Sequence, residues 1–167
     1  MLNQLQVFIL IGLPGSGKST WSRNVLEQSE DTVIVSSDCF REMLHGKYRY
    51  SPQYEPLVMQ LTFDAIKLAL ASKNNVIIDE SLLTLDVTRR MLLVNLIKSY
   101  DSSIKIKFVS FKPDTVGNIE RRMKEHRGLT KERWQRIFED LLISYQTVQD
   151  SEPYDSIDHI DIFKQAE

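Results

Sequence analysis

The 167-residue chain is short of several things, and each scarcity excludes a class of protein. It has one cysteine, Cys39, so no disulfide can close within it, and no Cys/His cluster stands at zinc-ligand spacing. Nowhere do eighteen apolar residues run together, which excludes a spanning helix. The apolar start, Val7 to Ile11, has neither the basic lead nor the small-residue cleavage site of a signal peptide. Charge of one sign is also missing. The 21 Lys+Arg against 23 Asp+Glu leave a formal net of −2, too little for bulk attraction to nucleic acid. No repeat, low-complexity run or linker marks an internal boundary. What remains is 42% hydrophobic and 26% charged, the make-up of one globular domain over residues 1–167. A chain this long buries roughly 70% of its unfolded surface and needs no cross-link to hold a core. The lone thiol suits a reducing, cytoplasmic setting.

Hydrophobic patterning gives strands and helices in alternation. Val7-Phe8-Ile9-Leu10-Ile11 is apolar without alternation, as in a parallel strand covered on both faces. A helix over Lys18–Gln28 is expected to bury Trp21, Val25 and Leu26. Val33–Val35 forms a second strand, and Ser36-Ser37-Asp38 supplies capping residues for a short helix to about Leu44. His45 to Pro56, with Gly46, Pro52 and three tyrosines, reads as a loop. A helix from Leu57 to Ser72 is broken by Asn74-Asn75, and Val76-Ile77-Ile78 makes a third strand ending in Asp79. Asp86–Tyr100 is helical, and Ile104–Val109 alternates as a strand with one partly wet face. Lys112-Pro113-Asp114 opens a helix to about Lys124, with Pro113 in its first turn. Trp134, Ile137, Phe138, Leu141, Leu142, Tyr145 and Val148 form a helical stripe, and Ile157–Ile162 makes a last strand. The alternation predicts an α/β fold, a five-stranded parallel sheet with helices on both faces.

The strongest chemical signal is Gly12-Leu13-Pro14-Gly15-Ser16-Gly17-Lys18-Ser19, followed by Thr20. It satisfies G-x-x-x-x-G-K-[ST] between a buried strand and a helix, the context that confirms a phosphate-binding loop. Glycines let successive amides turn inward toward phosphate oxygens, and the following helix offers its positive end to the same anion. Lys18 is expected to reach the β and γ phosphates and Ser19 to ligate magnesium, so the ligands implied are ATP and Mg2+.

Asp38, Arg41 and Asp79 are expected at the same end of the sheet, where ligands of open parallel sheets bind. Asp38 directly follows the second strand and suits a base for an acceptor hydroxyl, or else caps the short helix. Arg41, three residues on, shares its helical face and suits a phosphate contact, or else is a solvated charge. Asp79 suits the magnesium side. Glu80 makes an Asp79-Glu80 pair like that of P-loop ATPases, in which a glutamate polarises water. Arg121, Arg122, Lys124, His126, Arg127, Lys131, Arg133 and Arg136 crowd the stretch around Gly128, the place for a helical lid over about 121–131.

These residues resemble the P-loop 5′-hydroxyl polynucleotide kinases of phages and bacteria. The run Gly12 to Trp21 looks like the opening of the phage members. Ser37-Asp38-Cys39-Phe40-Arg41 is similar to their Asp-x-x-Arg element, which implies Asp38 as general base and Arg41 on the reacting phosphate. Arg89-Arg90 fall where the family has basic residues, and Arg122 to Gly128 resembles the arginine-bearing lid. That implies catalytic roles for Lys18, Asp38, Arg41 and Arg127, and nucleotide contact by Arg122. Two departures stand out: Asp79-Glu80-Ser81-Leu82 lacks the family's asparagine, and Arg122 and Arg127 are five apart rather than four, which favours Arg127. Neither an Asp-x-Asp-x-Thr phosphatase signature nor a ligase lysine motif occurs, so a stand-alone kinase is expected. The leading acceptor is a 5′-OH polynucleotide, with Tyr48, Tyr50 and Tyr54 available to stack on bases, although packing is expected for at least two of them. The alternatives are a sugar, nucleoside or zeta-toxin-like small hydroxyl acceptor, and an ATPase or nucleotide-gated binding module. No membrane partner is expected, and nothing in the sequence sets the oligomeric state.

Overall fold

A computed structural model describes residues 4–125 and 127–161. The apolar runs become strands, and all five pair in parallel. In chain order the elements are β1 (Gln6–Ile11), α1 (Lys18–Leu26), β2 (Thr32–Val35), α2 (Ser37–His45), α3 (Glu55–Ala71) and β3 (Asn75–Ile78). A 3₁₀ turn (Leu82–Thr84), α4 (Val87–Tyr100), β4 (Lys105–Phe111), α5 (Thr115–Lys124), α6 (Lys131–Ser144) and β5 (Ser156–Ile160) follow. The strand order is β2-β3-β1-β4-β5. β1 lies at the centre, with Val7 opposite Val76 of β3 and Ile106 of β4. From β1 the chain crosses to the edge at β2, returns to fill β3 beside β1, and then continues on the other side through β4 and β5, so the crevice beyond the carboxyl end of β1 is the natural ligand position.

Both faces of the sheet are covered, as the unbroken apolar runs require. Val7, Ile9, Ile11, Ile106 and Phe108 pack with Ile66 and Leu70 of α3 and Val94 and Ile97 of α4. On the other face Leu10, Ile77, Val109 and Phe111 pack with Trp21 and Val25 of α1. A third cluster joins Leu13 and Leu85 to Ile119, Trp134 and Phe138, seating α5 and α6 against the loop after β1. Among the described residues no helix is long and apolar enough to cross a membrane.

Several sequence expectations need correction. Leu26 is exposed; α1 buries Lys18 and Ser22 instead, because its inward side faces the loop as well as the sheet. The helix does end before Asn74-Asn75, but β3 opens one residue earlier than expected, at Asn75, whose amide bonds Asp31 O at 2.7 Å. Pro113 precedes α5, whose cap is Asp114, with its carboxylate accepting from Gly117 N. The stripe from Trp134 outlives its helix. α6 ends at Ser144, and Val148 packs on the main core from the following segment. His126 and Ile162 lie outside the described residues.

Candidate active site

The loop after β1 is shaped by close approach. A Cβ on Gly12 would meet Ser16 Oγ at 2.7 Å and Phe111 Cβ at 2.9 Å. Gly15 has φ +75°, and a Cβ there would stand 2.3 Å from Asn118 O. Only glycine fits at either position. Leu13 is buried in the third cluster, Pro14, Gly15 and Gly17 are half-buried, and Ser16 is buried with its Oγ unpartnered among the described residues. Gly17 caps α1 without a side-chain bond, leaving the first amides of the helix to an outside acceptor. Ser19 and Thr20, in the first turn, are exposed.

Lys18 is buried and donates to Gly12 O at 2.7 Å and Leu13 O at 3.0 Å. Burial pulls its pKa down to about 8, against the opposing charge of Asp79, while Arg122 pushes the same way as burial. A desolvated ammonium resting on neutral carbonyls is poised for an anion. Asp79 follows β3 directly, and its amide bonds Val35 O at 3.0 Å, which extends the ladder one residue and fixes it at the carboxyl edge of the sheet.

Asp38 sits inside the first turn of α2, not at its cap, which is Ser36. Its Oδ1 accepts from Arg41 Nη1 at 2.8 Å and its Oδ2 from Arg127 Nη1 at 2.6 Å. The carboxylate is still 36% exposed. Arg41, far from solvated, is 3% exposed. Its Nη1 also donates to Ser37 Oγ, and it grips Glu55 of α3 through Nε and Nη2 at 3.0 and 2.6 Å. Burial alone would weaken its proton, but the Glu55 bond and the Asp38 and Glu80 charges outweigh it and hold Arg41 charged.

Glu80 is buried beneath this cluster, with Oε1 accepting from Ser37 N at 2.8 Å. Desolvation raises its pKa to about 7, although the Ser37 contact works against the shift. Its side chain is committed to the start of α2, away from solvent.

The basic stretch divides in the structure. Arg127, at φ +52° in the turn before α6, reaches Asp38 and lies 4.3 Å from the Tyr48 ring centroid. Burial opposes its proton, but the Asp38 charge and hydrogen bond prevail. Arg122 lies over Trp134 at 5.1 Å, with its Nε buried and unpartnered among the described residues. Burial and the Arg127 charge make it a weaker base than usual. Arg121 donates Nε to Gly15 O at 2.7 Å and also bonds Asn118 Oδ1, bracing the phosphate loop from α5.

Thus Lys18, Asp38, Arg41, Asp79, Arg122 and Arg127 all lie toward the carboxyl end of the sheet. Arg89 and Arg90 do not join them. Arg89 bonds Leu82 O and pairs with Asp86. Arg90 is wholly buried against Glu152. Sequence reasoning missed Glu55, whose partner lies 14 residues away, and placed Arg121 in the lid without its bond to Gly15, 106 residues away. For Glu55 the available hint was an acid opening a helix after a tyrosine-rich loop.

The unpartnered Ser16 Oγ and Arg122 Nε beside a desolvated lysine fit the phosphates of a nucleotide. A hydroxyl and a carboxylate, Ser19 and Asp79, are hard oxygen donors of the kind that hold magnesium with phosphate and water.

A model for the AAA domain matches residues 7–141. Over 52 residues the chain is 44% identical to the 2′,3′-cyclic-nucleotide 3′-phosphodiesterase of Mus musculus, a span of 30% of this chain and 12% of that protein. A structure of the Pnkp1/Rnl/Hen1 RNA repair complex contains the same fold (TM-score 0.69, 22% identity, 89% of this chain and 50% of that one). So does a fungal RNA kinase (0.68, 13%, 96% and 77%). A gluconokinase from Sinorhizobium meliloti 1021 shares it at greater distance (0.54, 17%, 94% and 82%). The chain thus spans half the length of the RNA repair protein and a small part of the phosphodiesterase. The fold is that of the P-loop kinases.

Proposed function

The chain belongs to the AAA domain family, and from that premise we propose that it is an ATP-dependent phosphotransferase acting on the 5′-hydroxyl of a polynucleotide. One observation carries the reading: an exposed-edged carboxylate, Asp38, gripped by two arginines at 2.8 and 2.6 Å beside a phosphate loop. A carboxylate has about four acceptor sites, so two arginine bonds leave room for a hydroxyl proton.

In this reading Asp38 accepts the acceptor's proton as its oxygen bonds to the γ phosphorus and the bond to the β-phosphate oxygen breaks. Arg41 orients the reacting phosphate, and Lys18 neutralises charge on the β and γ oxygens. The loop amides of Gly12 to Thr20 cradle the chain of phosphates, with Arg122 on its flank. Ser19 and Asp79 would hold magnesium, which supplies charge neutralisation between the β and γ phosphates when bound. Residues 121–131 act as the lid, and Arg127 exchanges Asp38 for the γ phosphoryl when nucleotide enters. The burial of Glu80 and its bond to Ser37 N argue against a water-activating, ATPase role.

The test is transfer from γ-labelled ATP to a panel of 5′-OH DNA, 5′-OH RNA, nucleosides and sugars. Label on the polynucleotide 5′ end is expected. Label confined to small hydroxyl compounds overturns the acceptor assignment, and acceptor-independent phosphate release as the sole activity overturns the kinase reading.

A further inference from the structure

The loop 46–54, between α2 and α3, borders the Asp38 cluster, yet the transfer step uses none of its three tyrosines. Tyr48 packs on Arg127. Tyr50 and Tyr54 are 56% and 40% exposed, which corrects the expectation that at least two of the three would be packed away.

Both exposed rings are nevertheless positioned. Tyr50 lies with its centroid 5.9 Å from the Arg41 guanidinium carbon. Tyr54 meets the His45 ring edge-on at 5.0 Å, caps α3 and donates its amide to Ser51 O at 2.9 Å. Arg41 and His45 are four residues apart on α2, so the two rings rest against side chains from successive turns of one helix. The same loop exposes Lys47 and Arg49, giving the order Lys47-Tyr48-Arg49-Tyr50 of alternating cation and ring.

We propose that this loop is the platform for the acceptor strand. The first two bases stack on Tyr50 and Tyr54, and Lys47 and Arg49 take the phosphates that follow. The inference rests on the polynucleotide reading of the acceptor. Two exposed rings held separately by Arg41 and His45 suit bases splayed onto the protein. Stacking of this kind tolerates any base, because every base has a π-face, and exposed cations beside the rings track the backbone. A sugar or other small hydroxyl compound seated at Asp38 would have no group to place on the second ring or the two cations. Lys47 and Arg49 also offset the local acids Asp38, Glu42 and Glu55, which would otherwise repel a polyanion.

The test uses the full chain and a 5′-OH single-stranded octanucleotide labelled at its 3′ end, with binding read by anisotropy and transfer by γ-labelled ATP. Tyr50→Leu/Tyr54→Leu should weaken octanucleotide binding by about 30-fold, the lower end for two base-stacking contacts. The penalty should be smaller for a nucleoside 3′-phosphate, and ATP affinity should stay within about twofold. Tyr50→Phe/Tyr54→Phe, which keeps both π-faces, should bind within about threefold of the parent. Lys47→Ala/Arg49→Ala should reduce the salt slope of binding by about 1.4, as loss of two single-strand phosphate contacts requires. If the parent phosphorylates the octanucleotide and the leucine variant binds it equally well, the platform is overturned and the kinase reading stands. If the parent neither binds nor phosphorylates it, both are overturned.

Discussion

Two buried arginines in this fold each clasp a glutamate through Nε and Nη2, and they teach opposite lessons. Arg90 of α4 meets Glu152 at 2.7 Å on both nitrogens, and its other N–H groups go to the carbonyls of Thr84, Gln146 and Thr147. All five guanidinium donors have acceptors, and neither partner sees water. Arg41 of α2 clasps Glu55 in the same way, but its other bonds go to Ser37 Oγ and to Asp38, whose carboxylate is open at the edge. Four of its five donors are bonded among the described residues. The first arginine is closed and ties the segment before β5 to the helix. The second is incomplete, and the partner it shares with Arg127, Asp38, is open to solvent.

The sharpest way to break this contrast is Arg90→Ala. It strands a buried Glu152 and should cost about 3–5 kcal/mol of stability, lowering the melting temperature by about 10 °C. A melting temperature unchanged by calorimetry would deny the clasp its structural role. Next, Asp38→Ala should reduce phosphoryl transfer by roughly 10²-fold or more while moving the melting temperature far less, because the lost carboxylate is open to solvent. Transfer near the parent rate would reduce the Arg41 cluster to a second structural clasp.

Glu80 joins that cluster through Ser37 and prefers its proton. Its folded pKa, about 7, lies above the unfolded value of 4.5, so the folded state holds more protons between them and stability falls as pH rises through that window. Glu80→Gln keeps an acceptor for Ser37 N without the charge. It should match the parent at pH 4.5 and exceed it by on the order of 2 kcal/mol at pH 8 in denaturant melts. An equal pH dependence in both proteins would contradict the assignment. The smallest effect is expected from Glu55→Gln. With Arg41 held by one neutral bond, transfer should drop by about tenfold at saturating ATP, and ATP affinity should be unchanged in a direct titration. A parallel loss of ATP affinity would mean that Glu55 supports the phosphate loop rather than the arginine.

How much of this was legible in the sequence depended on whether the signal was local. The phosphate loop was legible as a pattern because Gly12, Gly17, Lys18 and Ser19 fall within eight consecutive residues, although the close approaches at Gly12 and Gly15 involve the distant Phe111 and Asn118. The parallel sheet was legible for the same reason, from unbroken apolar runs such as Val76-Ile77-Ile78. Asp38 and Arg41 were recognisable as a pair three residues apart on one helix. Arg90's structural partner could not be foreseen, since nothing beside it announces an acid 62 residues away. Glu55, and the hold of Arg121 on the phosphate loop, were hidden for that reason too. Helix ends were misjudged where tertiary contacts took over from periodicity, as at Val148, which packs half-buried on the core after the helix has ended.

The brace from α5 to the phosphate loop has a mechanical consequence. Gly15 abuts Asn118 O, and Arg121 is bonded to Gly15 O, so the helix is stapled to the loop up to that residue. Any swing of the arginine-bearing turn must therefore pivot beyond Arg121. In the lid motion proposed above, only the residues beyond Arg121 would be free to swing, and the arm bearing Arg127 would hinge on the phosphate loop.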